Sequence, residues 1–227
     1  MDEHQYKDFW KFLKLLSDNG LLEHVIVIGS WAEYLYAQSG ILPGFTANLR
    51  TLDIDFLIKN MRKPSPQVNI AVLAKEAGYT VDHDILDGTT KIYTPGLMEI
   101  EFLITQQGCG EDSTINTNLG VKEQALRHIA MLKEFTMKAQ IFDMEISIPR
   151  PEAYILHKIV INSERGKKAD KDKAAIEAML PFLNKELVDN IYHHITKKEQ
   201  KAVIAFFEEH AETDQYQLFA KKEKESR

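Results

Sequence analysis

The chain runs through mixed hydrophobic periods and then settles on one. Residues 3–17 place Phe9, Trp10, Leu13 and Leu16 at helical spacing, and Asp18-Asn19-Gly20 ends that helix. A continuous apolar run predicts a buried strand over 24–28. Residues 31–38 read as a helix closed by Ser39-Gly40, and a loop holding Pro43 and Gly44 follows. The period then falls to two in RTLDIDFLIKN, a strand over 50–60. Next come a helix over 66–77, stopped by Gly78, and short strands at 80–81, 90–94 and 97–105. Pro95-Gly96 is a turn signal that joins the last two strands as a hairpin. Residues 106–120 are polar and glycine-bearing and predict a loop. Residues 122–136 predict a helix, and the alternating AQIFDMEISI over 139–148 predicts a strand. From Pro151, which suits a first helical turn, the pattern is helical at 151–163, 169–180, 184–195 and 197–210. The expected class is α/β (α+β): a mixed sheet with flanking helices over 1–149, then a helical region over 150–227, with no internal repeat.

Composition narrows the function classes. The 227 residues are 44% hydrophobic and 27% charged, an ordinary globular balance. No apolar run is long enough to predict a membrane span, and the acidic, amphipathic N-terminus does not read as a signal peptide. The single cysteine, Cys109, excludes an internal disulfide and a multi-cysteine zinc site, so a reducing cytoplasm is the expected compartment. A net charge of −6 argues against broad, nonspecific nucleic-acid binding. Residues 158–173 nevertheless hold six Lys or Arg against three acids, a local basic run suited to a phosphate-rich partner.

Gly29-Ser30, between the first strand and its helix, supports two readings. Ser30 followed by Glu33 has the spacing of a capping box. Alternatively, glycine permits close backbone approach, and a helix N-terminus offers free N–H groups to a phosphate. Trp31 and Tyr34 read as core residues, and His193-His194 as a polar helix face.

The acids carry the chemistry. In Asp53-Ile54-Asp55 the two carboxylates share one face of the strand, and Leu52, Ile54 and Phe56 turn to the other, toward a core. Glu99 and Glu101 likewise share a face of the 97–105 strand. Two carboxylates about 4 Å apart repel by roughly 4 kcal/mol at an effective dielectric near 20. Drift into water relieves this, and so does a divalent cation. Mg²⁺ takes one or two carboxylates and completes its shell with substrate phosphate, and paired ions can clamp a phosphoryl displacement. A solvated edge-strand face is the competing reading, although acids are depleted in strands.

Together, Gly29-Ser30, Asp53-x-Asp55 and Glu101 resemble the DNA polymerase beta-like nucleotidyltransferase superfamily: Gly-Gly/Ser at a helix start, Asp-x-Asp/Glu in a strand, a third acid in a neighbouring strand. The ending Arg50-Thr51-x-Asp53-Ile54-Asp55 and the segment PRPEAYILHKIVINSERGKKADKD are similar to the branch holding abortive-infection nucleotidyltransferase toxins and uncharacterised bacterial relatives. The resemblance covers about residues 24–175; Ser30 departs from the second glycine of many relatives. It implies a nucleotidyltransferase-type sheet and transfer of a nucleoside monophosphate from an NTP to an acceptor hydroxyl. It implies Mg²⁺ (or Mn²⁺) on Asp53, Asp55 and Glu101, these three being the catalytic set, with Glu99 competing with Glu101 for the third place. Gly29, Ser30, Arg50, Thr51 and Lys158 would bind nucleotide, and Lys171-Asp172 would mark the following helix. The implied acceptor is RNA, a protein or a small molecule, with an antitoxin-like partner on the toxin branch. Arg50 is equally readable as an ion-pair partner of the acids, and Lys158 as a solvated helix lysine. The same fold as a non-catalytic nucleotide-binding or toxin-antitoxin-type interaction module is the rival expectation, and a metal-dependent nuclease or phosphohydrolase on the same acids is a third.

Overall fold

The computed structural model describes residues 3–49, 51–60, 64, 67–106 and 114–210. Arg50, Cys109 and the charged tail therefore lie outside the described residues. The chain divides into two compact units, Met1–Pro149 and Arg150–Arg227.

The first unit is built on a mixed sheet. Its strands are β1 (Val25–Val27), β2 (Asp53–Ile58), β3 (Thr80–His83), β4 (Thr90–Tyr93), β5 (Glu99–Thr105), β6 (Thr114–Asn116) and β7 (Lys122–Leu126). The order is β1-β2-β5-β4-β3, with β7 also on β5 and β6 on β7. β2 and β5 are parallel, while β1 and β4 join them antiparallel. β2 thus has a neighbour on each side. An edge-strand face for Asp53 and Asp55 is excluded by this order.

Helices α1 (Glu3–Asp18), α2 (Gly29–Gln38) and α3 (Ile70–Glu76) flank the sheet. α1 buries Phe9, Phe12, Leu13 and Leu16. Phe12 therefore belongs to the buried face, and Trp10 is only half-buried. Phe9 stacks on Trp31 of α2 at 3.9 Å between ring centres, and Phe12 meets Phe56 of β2. Phe56 pairs with Phe102 across the parallel strands, and their rings stack at 5.3 Å. Stacked aromatics bury large areas with defined geometry, so this layer fixes the β2–β5 register from the face opposite the acids. Leu52 does not join the core: it precedes the strand and is 62% exposed.

The segment read as a helix over 122–136 is instead β7, α4 (Ala130–Glu134) and the start of β8 (Thr136–Ile141). Lys122-Glu123-Gln124-Ala125-Leu126 has helix-forming composition, but hydrogen-bonded neighbours on both sides override that preference. The single strand read over 139–148 is a hairpin, β8 with β9 (Met144–Pro149). Its two-residue turn carries Phe142 at φ +54°, where glycine or asparagine is the usual signal. The β4–β5 hairpin does form at Pro95-Gly96, and the Gly96 amide donates to Asp8 Oδ2 of α1 at 2.9 Å.

The second unit is helical: α5 (Pro151–Ile161), α6 (Ala169–Met179), α7 (Lys185–His194) and α8 (Lys197–Glu209). α5 is apolar almost all round and buries Ala153, Tyr154, Ile155, Leu156, Ile159 and Val160, as a central bundle helix must. No helix among the described residues is long and apolar enough to cross a membrane.

Candidate active site

The site begins where β1 gives way to α2. The Ile28 amide donates to the Asp55 carbonyl at 3.0 Å, which carries the β1–β2 ladder to the helix mouth. Gly29 then takes φ +64°. A Cβ at this position would collide with Asp55 Oδ2. Only glycine meets both demands, the left-handed backbone and the contact with the carboxylate.

The helix starts at Gly29, with Ile28 at the N-cap and no side-chain capping bond. Ser30 thus lies inside the first turn, and the predicted Ser30–Glu33 capping box is not formed. Where a capping box does form, it is at Thr196–Glu199 on α8. Trp31 is fully buried and donates its indole N–H to the Asp53 carbonyl at 3.0 Å, which fixes the helix against the acid-bearing strand. Trp31 is therefore a core residue, as its sequence context suggested. The Thr51 hydroxyl accepts from the Asp53 amide at 3.2 Å and shapes the strand entry.

β2 and β5 run in parallel with Asp53 opposite Glu99 and Asp55 opposite Glu101. Strand alternation puts these four side chains on one face, so four carboxylates form a two-by-two array. Such an array is self-repelling, and the sheet supplies a cation. Lys91, on β4, sits with its Nζ 2.7 Å from Glu99 and 4.0 Å from Glu101. The Lys91 ammonium is held above its ordinary pKa, chiefly by the hydrogen bond to Glu99 and, against partial burial, by the charges of Glu99 and Glu101. Lys91 escaped the sequence reading, although the Pro95-Gly96 hairpin register carries the signal: Tyr93 faces Glu99 and Ile92 faces Ile100.

A fifth acid was also missed. Glu123 of β7 is 5% exposed, and its Oε1 has no hydrogen-bond partner among the described residues. Burial pushes its carboxyl up to about 9, with Glu101 adding to the rise. No sequence signal could find it while 122–136 read as a helix.

Among the described residues no group of three or more His, Cys, Asp or Glu is arranged to hold a metal ion. The pair Asp53 and Asp55, both half-buried, does fit an Mg²⁺ that shares its shell with triphosphate oxygens and water.

Lys158 lies in the second unit and is itself buried. Its Nζ is 2.7 Å from Asp172 Oδ1, and Arg165 Nε reaches Asp172 Oδ2 at 2.9 Å. Lys158 is therefore not a solvated helix lysine. α5 stops at Ile161, so Lys158 and Arg165 do not share one helix face, yet both converge on Asp172 of α6.

A mixed sheet flanked by helices, acids on neighbouring central strands, a glycine at the adjoining helix mouth and a helical region beyond define a nucleotidyltransferase fold. A nucleotidyltransferase family profile matches residues 7–199, and the chain belongs to that family. No curated protein matches it. Among solved structures, an antigenic nucleotidyltransferase-like protein from Paracoccidioides brasiliensis is similar over 85% of this chain and 83% of its own, at 14% identity and a TM-score of 0.50. The solution structure of the antibiotic-resistance factor ANT(2'')-Ia is similar over 93% of this chain and 95% of its own, at 15% identity and a TM-score of 0.49.

Proposed function

We propose that this chain transfers a nucleoside monophosphate from an NTP to an acceptor hydroxyl, with Asp53, Asp55 and Glu101 as the reacting set. The observation that carries the reading is the seating of Gly29 against Asp55 Oδ2. It brings a side-chain-free helix start, able to receive phosphate oxygens on its amides, against a strand acid able to hold their counter-ion. Gly29 and Ser30 bind the triphosphate, together with Arg50 and Thr51, which stand just ahead of the β2 acids in sequence. Asp53 and Asp55 hold Mg²⁺ or Mn²⁺, which, when bound, neutralises the triphosphate and orients its α-phosphorus. Glu101 takes the proton of the acceptor hydroxyl. The acceptor oxygen bonds to the α-phosphorus, the bond to the β-phosphate bridge breaks, and pyrophosphate leaves. Catalysis is then mostly positioning and charge neutralisation.

The acceptor is RNA, a protein or a small molecule; the resemblance of the Arg50-Thr51-x-Asp53-Ile54-Asp55 ending to the abortive-infection-type branch would make it RNA, with an antitoxin-like partner. A second reading, nucleotide binding without turnover, is favoured by one observation: Lys91 engages the β5 acids, Glu101 among them.

The test is incubation with each α-labelled NTP, Mg²⁺ or Mn²⁺, and a cell extract holding RNA, protein and metabolites, with Asp55→Asn alongside. Label should enter one fraction and be absent with the variant. Transfer that survives in Asp55→Asn sinks the assignment. Calorimetric NTP binding with no label in any fraction favours the non-catalytic module.

A further inference from the structure

The acid array is not symmetric about its two strands. The β2 half, Asp53 and Asp55, adjoins the Gly29 helix mouth. The β5 half, Glu99 and Glu101, adjoins β4 and its ammonium. Lys91 lies closest to Glu99 and within reach of Glu101, and this half-buried side chain is carried on a strand that pairs directly with β5. Lys91 therefore sets a fixed positive charge against the β5 half of the array, on the side away from the nucleotide-binding helix.

We propose that Lys91 stands in for a second metal ion. Its ammonium occupies the β5 half of the array and holds Glu99 and Glu101 in place, so that the site takes a single divalent cation, at Asp53 and Asp55. This rests on the nucleotidyltransferase reading of Asp53 and Asp55 and deepens it. In a two-ion arrangement the second divalent cation, besides acting on the reacting oxygens, neutralises the carboxylates that hold it. Here a protein amine with one fixed charge does so, without depending on ion concentration. Lys91 is then a positioning residue that acts through Glu101. A second divalent ion at Glu99 and Glu101 would meet the ammonium at close range, a repulsion that a half-exposed pair feels with solvent screening.

The experiment is a Mn²⁺ titration of the full chain, without nucleotide, followed by the loss of the free-ion electron paramagnetic resonance signal. Wild type, Lys91→Met, Lys91→Gln, Lys91→Arg and Asp55→Asn are compared, each first checked for folding by circular dichroism. Wild type should take one ion. Either neutral variant should take a second, or bind its ion about tenfold more tightly or better. Lys91→Arg, which keeps the charge, should behave as wild type. Two ions bound by wild type, or isotherms of both neutral variants that coincide with wild type, overturn the proposal. Loss of the ion in Asp55→Asn supports the β2 location. Its full retention sinks the Asp53–Asp55 reading separately, whatever Lys91 does.

Discussion

At the scale of single residues, the β2 acids and their glycine were legible because each breaks a local rule. Carboxylates in an apolar strand and a glycine after four β-branched or aliphatic positions are costly unless something uses them. Glu123 broke no such rule, since a Glu in a helix-forming run is ordinary, and its singularity arises only once β7 buries it. The raised carboxyl has a consequence for stability. Folded Glu123 holds its proton to about pH 9, whereas an unfolded Glu releases it near pH 4.3. Between those values the native state binds the extra proton, so stability falls as pH rises across that window. Glu123→Gln has no proton to lose and keeps the shape. It should melt higher than wild type at pH 8 and lose the advantage near pH 4. Each kcal/mol recovered should raise the Tm by about 2–4 °C. Equal melting temperatures for the two proteins at pH 8 contradict the buried, proton-holding carboxyl.

At the scale of elements, helix starts show where pattern reading succeeds and where it stops. Ser30 and Thr196 both precede a Glu by three residues, yet only Thr196 caps a helix. The difference is the residue before. Gly29 in its left-handed conformation lets α2 begin one position early and leaves Ser30 within the first turn. Thr196→Ala should therefore cost about 1 kcal/mol, the worth of an N-cap, seen as a Tm lower by about 2–4 °C. Ser30→Ala should leave the Tm nearly unchanged and weaken NTP binding measured by calorimetry. A large Tm loss in Ser30→Ala would return that serine to a capping role. The same limit explains the missed strands. β7 is held by β5 and by β6, just before it in the chain, against its own helix-forming composition, and the β8–β9 turn uses Phe142 in place of a turn residue, so neither is announced by its own residues. The Pro95-Gly96 hairpin left one and was read correctly.

At the scale of the whole molecule, two units with different chemistry stand in one chain. The acids that define the site lie in the first, and the second has its own charged centre at Lys158, Arg165 and Asp172. Burial alone would raise the Asp172 carboxyl; Lys158 and Arg165 outweigh it and hold the group below the ordinary Asp range. A depressed carboxylate contributes stability above its unfolded pKa, near 3.9, and that contribution is lost as pH falls through the lower folded value. The lysine that the sequence resemblance would put on a triphosphate thus has a folding role. Asp172→Asn leaves the Lys158 ammonium buried without its counter-charge, a change that costs about 3–5 kcal/mol when a buried pair is broken. The variant should show a lowered melting transition at neutral pH and a shallower decline in stability toward pH 2 than wild type. The comparison that separates the two roles is Lys158→Met with Asp172→Asn. If Lys158 serves only the fold, both variants lose stability and neither changes NTP affinity measured below its melting range. If Lys158 also contacts phosphate, Lys158→Met loses affinity beyond anything seen in Asp172→Asn, which keeps the ammonium. The neutral pair Lys158→Met with Asp172→Leu, which removes both buried charges, should recover much of the stability while leaving any affinity loss in place.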